Sequence, residues 1–131
     1  MNKYRDLKVW QKAVDLVLKI YELTSSFPDK EKYGLVGQMN RSVISIPSNI
    51  AEGAGRNNPK EFYQFLGIAK GSLAELETQI EISKRLVYMN NRDYDQLFEI
   101  TNHIGRMITK LQLSIKNSNF SKVSEPLENY I

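Results

Sequence analysis

No cysteine occurs in this chain of 131 residues, and histidine and tryptophan occur once each. Without thiols there are no disulfides, zinc–thiolate sites or thiol nucleophiles, and a cytoplasmic setting is the natural expectation. The single histidine, His103, has no serine to activate, because no serine stands in a nucleophile-elbow sequence. Glu99 lies one helical turn before it. Di-iron bundles use Glu-x-x-His pairs on two helices, whereas here the spacing is four and no second histidine exists. A solvent-facing Glu–His pair is expected instead, with no metal, no cofactor and no catalytic residue. Long apolar runs are also missing: none approaches membrane-spanning length, and the polar opening Met1-Asn2-Lys3-Tyr4-Arg5-Asp6 is unlike a signal peptide. Strand signals, internal repeats and low-complexity stretches are lacking too.

Amphipathic helices fill the space these absences leave. The length fits one domain that needs no covalent staples. A first helix is expected over residues 6–24, where Leu7, Trp10, Val14, Val17 and Tyr21 form one stripe and Val9, Ala13, Leu16, Ile20 and Leu23 a second beside it. Together they make an apolar arc wider than one bundle seam requires. A second helix should start between Asp29 and Gly34, run along Val36, Met39, Val43, Ile46 and Ile50, and end at Gly53 in a left-handed cap. The third has Asn58 as N-cap and Pro59 at its first position, with a seam of Phe62, Leu66, Ala69, Leu73, Leu76, Ile80, Ser83 and Val87. Its interior glycines, Gly67 and Gly71, lie off the seam and suit close approach by another helix or subunit. The fourth follows Asn90-Asn91 and carries Tyr94, Leu97, Thr101, Ile104, Ile108, Leu111 and Ile115. The expected fold is all-α: an antiparallel up-down-up-down four-helix bundle over residues 1–116, followed by a polar, flexible tail over 117–131 in which Phe120, Leu127 and Tyr130 are the apolar residues able to dock.

Pro47 is the anomaly. It has no N–H for the carbonyl of Val43 and crowds the preceding turn, so the second helix should bend there. Arg41, Ser45, Ser48, Asn49 and Glu52 share the polar side beside it, with Glu75 and Glu77 of the third helix within reach. They are expected to satisfy the freed carbonyl or to form an assembly interface.

Several separated blocks, in order, resemble one family. They are Leu7-x-Val9-Trp10, Tyr33-Gly34-Leu35 with Gln38 and Arg41, Ser45-Ile46-Pro47-x-Asn49-Ile50-Ala51-Glu52-Gly53 with Arg56, and Phe65-Leu66-x-Ile68-Ala69-x-Gly71-Ser72-x-x-Glu75-Leu76-Glu77. The chain resembles the bacterial 23S rRNA intervening-sequence proteins, and the accessory protein of diversity-generating retroelements is similar. The resemblance implies a four-helix protomer, a homopentameric ring and no catalytic activity. It implies nucleic acid, and a protein such as a reverse transcriptase, as partners.

Charge is the remaining lead. Eighteen basic and fifteen acidic residues give +3, which permits nucleic-acid contact without demanding it. The basic candidates are Lys8, Lys12 and Lys19 on the first helix, Arg56 and Lys60 around the glycine-rich turn, Lys84, Arg85 and Arg92 near the last turn, and Arg106 and Lys110 on the fourth helix. The turn over residues 53–60 is expected to be a tight connection using left-handed residues, with a phosphate site on its free N–H groups as the alternative. In a ring the patches repeat, and a pentamer would carry about +15. The leading expectation is an oligomeric scaffold that binds structured RNA or DNA with steep salt dependence; the other is a protein-interaction module without nucleic-acid binding.

Overall fold

The computed structural model describes residues 3–120 and 127–131. Among them the fold is all-α, with five α-helices, two 3-10 turns and no strand. The helices are α1 (Lys3–Asp6), α2 (Lys8–Thr24), α3 (Leu35–Ala54), α4 (Pro59–Arg85) and α5 (Asn91–Phe120). The four long ones share one core, built from Leu16 and Ile20 of α2, Met39, Val43, Ile46 and Ile50 of α3, Leu66 and Leu76 of α4, and Leu97, Ile104 and Ile108 of α5. No helix among the described residues is long and apolar enough to cross a membrane.

The first helix does not begin at Asp6. The chain breaks at Leu7 (φ −68°, ψ 124°), whose side chain is fully buried and whose carbonyl accepts the N–H of Gln11 at 3.1 Å. The buried leucine joins the core at the break. Tyr4 of α1 packs edge-on against Trp10, with ring centroids 5.2 Å apart. The inward stripe of α2 is Val9, Ala13, Leu16 and Ile20; the Trp10, Val14 and Val17 stripe lies on the flank, half-buried. Tyr21 (45%) and Leu18 (65%) are exposed, so α2 carries more apolar surface than its own core covers.

Gly53 is not a left-handed cap. No glycine among the described residues has positive φ, and α3 continues to Ala54. A Cβ at Gly53 would stand 2.6 Å from Cβ of Phe65 and 3.0 Å from Cδ1 of Phe62, so this glycine lets α4 come close to α3. The left-handed residue of the following turn is Asn57, at φ 53°.

At the start of α4, Asn58 Oδ1 accepts the N–H of Glu61 at 3.1 Å, with Pro59 in the first turn, as the sequence predicts. The seam holds as far as Ser83, and Val87 then departs from it. Val87 is 84% exposed and left-handed (φ 64°), its N–H reaching the carbonyl of Lys84 while that of Tyr88 reaches Ser83. This is a Schellman ending with valine where glycine is usual. At α5, Asn90 Oδ1 caps the N–H of Asp93 at 2.7 Å. That helix runs four residues past Lys116, where its apolar pattern fades. Tyr130, in the 3-10 turn Leu127–Tyr130, packs on the core and donates to the carbonyl of Lys110 at 3.3 Å. The docking expected of the Phe120 and Leu127 side chains, and the flexibility expected of residues 121–126, lie outside the described residues.

Candidate nucleic-acid interface

Pairing of α4 with α5 gathers cations that lie far apart in the chain. A groove of about 520 Å³ between them is lined by Lys70 of α4 and by Arg106 and Lys110 of α5, with Glu77 the acidic member and Leu73 and Leu113 the apolar ones. Small residues shape it: Ala74 lines it, and a Cβ on Gly105 would lie 3.4 Å from Cδ2 of Leu73. Lys70 Nζ donates to Gln112 Oε1 at 3.5 Å, while Arg106 and Lys110 are exposed. Lys110 also borders a smaller cavity, about 140 Å³, with Lys8, Met107 and Tyr130. Lys60 and Lys116 line a third hollow of about 650 Å³, walled by Pro59, Tyr63 and Ile115.

Four sequence candidates (Lys8, Lys60, Arg106 and Lys110) therefore border cavities around the second half of α5, joined by Lys70 and Lys116, which the sequence did not single out. Each of these two is an isolated cation in its own helix, and the fold alone gives it charged neighbours. Lys12 is exposed and Lys19 half-buried on α2, outside these cavities.

The remaining candidates are compensated or stand apart. Arg56 pairs with Glu52 at 3.0 Å, its guanidinium carbon 5.1 Å from the Phe65 ring centroid. It thus bridges Glu52 of α3 and the Phe65 ring of α4, and of the N–H groups that open α4, Asn58 already takes that of Glu61. Arg85 Nε lies 2.9 Å from Glu81 Oε2, and Tyr94 donates to the other Glu81 oxygen at 2.7 Å. The Tyr94 hydroxyl first, then Arg85, holds the Glu81 carboxyl below its usual range, and the same bond raises the Tyr94 phenol. Lys84 sits over the Tyr94 ring, 3.9 Å from its centroid. Arg92 is exposed. Glu99 and His103 are both exposed, and no three His, Asp or Glu side chains gather into a metal-binding group among the described residues.

The polar cluster beside Pro47 divides. Ser45 and Ser72 share a hydrogen bond of 2.8 Å between α3 and α4, and Asn49 Nδ2 donates to both the hydroxyl and the carbonyl of Ser45. Ser48 donates to the carbonyl of Ile44. These side chains thus bond the carbonyls of Ile44 and Ser45, the two that follow Val43. Arg41 and Glu75 line a groove of about 580 Å³ between α3 and α4, whereas Glu77 points to the α5 side.

Comparison with known proteins agrees with this architecture. No curated protein matches the chain. A solved structure from Bacteroides thetaiotaomicron VPI-5482, a protein with unknown function from the S23 ribosomal protein family, is 21% identical and superposes with a TM-score of 0.72, over 79% of this chain and 97% of that one. At that identity the likeness shows the fold. The family model for the 23S rRNA-intervening sequence protein matches residues 5–110, which is most of the chain, and the protein therefore belongs to that family.

Proposed function

We propose that this protein is a non-enzymatic, oligomeric helical scaffold that binds structured nucleic acid, RNA or DNA, through the basic surface around the second half of α5. The groove bearing Lys70, Arg106 and Lys110 carries the reading. It offers three cations to phosphates along one groove, which suits backbone recognition. A homopentamer would present five such grooves, so weak phosphate contacts add up. The surplus apolar face of α2, with Leu18 and Tyr21, supports assembly. The cytoplasm as location, the kinship with retroelement accessory proteins and a reverse-transcriptase partner belong to the same proposal.

The protomer is read as an antiparallel up-down-up-down bundle bent at Pro47. Ser45 lies beside Ser72 while Gly53 lies beside Phe65, so α3 and α4 advance in opposite senses, which supports that order. The side-chain bonds from Ser48 and Asn49 to carbonyls one turn back support the bend.

Filter binding over a salt series tests the function. Affinity should fall steeply with salt, and Arg106→Glu with Lys110→Glu should reduce the log–log slope by about 1.8 on a duplex. Arg85→Glu should change it little, because Glu81 already engages that arginine. Absence of binding at low salt contradicts the reading. The second reading, a protein-interaction module, is favoured by the exposed apolar surface of α2 and predicts a pull-down that survives nuclease and high salt.

A further inference from the structure

The groove between α3 and α4 lies outside the basic surface, and the fold leaves some of its hydrogen-bonding groups unused. Gln79 is only 8% exposed, yet its carbonyl oxygen has no hydrogen-bond partner. Leaving such a group unmatched is costly unless something completes it. Glu75, one turn earlier on α4, and Arg41, opposite on α3, line the same groove, and no ion pair joins them among the described residues. The Ser45–Ser72 hydrogen bond closes one end, and Ile44, 42% exposed, adds an apolar wall.

A guanidinium, a free carboxylate and an amide that presents either its oxygen or its nitrogen by rotation call for a planar guest with donors on one edge and acceptors on the other. Guanine has that pattern: O6 and N7 accept from an arginine, and N1–H and N2–H donate to a carboxylate and a carbonyl. We infer that this groove takes an unpaired guanine base, with Arg41 on its O6/N7 edge and Glu75 and Gln79 on its N1/N2 edge. The inference rests on the nucleic-acid reading and adds to it a base preference that phosphate contacts do not supply.

Titration of the full-length protein with GMP, AMP, CMP and UMP, followed by NMR, tests it, with a uridine homopolymer as a separate probe of the basic surface. GMP should bind about tenfold more tightly than the other three. Glu75→Gln should remove that preference and leave homopolymer binding unchanged. Gln79→Met should also remove it while raising the melting temperature, because the variant no longer buries an unmatched carbonyl. Four nucleotides that bind alike, or not at all, overturn the inference, and homopolymer binding then reports separately whether the basic surface stands. A Glu75→Gln variant that alters sedimentation and not GMP affinity overturns it too, by marking the groove as a contact between copies.

Discussion

Two residues show how local rules yield to packing. Gly53 sits where a helix-stop glycine is expected, but its φ is not left-handed, and Phe65 and Phe62 occupy the space a side chain would need. Gly53→Ala should therefore destabilise the protein by about 1–3 kcal/mol through overpacking, as urea denaturation will measure. At Gly71 no atom lies within 4 Å of a Cβ, and alanine there should stabilise by about 1 kcal/mol in the protomer. Val87 presents the opposite case, a β-branched residue holding a left-handed cap that glycine fills without strain. Val87→Gly should gain about 1 kcal/mol, seen as a higher melting temperature, and an unchanged or lower value would count against strain at that cap. The Asn58-Pro59 start of α4 was legible because every group involved is local in sequence. The role of Gly53 was not, because its neighbours come from the next helix.

At the scale of the helices, hydrophobic period gave four segments and, in α3, α4 and α5, most of the inward face. It left α2 ambiguous, since two adjacent stripes are equally apolar, and only the packed structure turns Val9, Ala13, Leu16 and Ile20 inward. The outer flank then holds Leu18 and Tyr21, with Trp10, Val14 and Val17 half-buried beside them. Leu18→Glu with Tyr21→Glu should lower the mass seen by light scattering while leaving the circular-dichroism helicity intact, because these side chains contribute little to the protomer's own core. Unchanged mass would assign assembly to another face. The basic groove is also a product of pairing. Arg106 and Lys110 were visible as one turn of a helix, but Lys70 joins them only through the approach of α4 to α5. Lys84 and Arg85, which look equally basic in sequence, are engaged by Tyr94 and Glu81.

For the molecule as a whole, an excess of three positive charges is too small to signal nucleic acid, and distribution and copy number decide the matter. Near the α4–α5 turn Glu81 engages Arg85 and the Tyr94 ring takes Lys84, while the cations around the second half of α5 line open grooves. Sedimentation velocity of the protein with a labelled structured RNA, at low and then high salt, tests this account most directly. The account predicts a protein oligomer that carries the RNA at low salt, releases it at high salt and stays assembled throughout. A protein that sediments as a monomer and leaves the RNA free at low salt would contradict it.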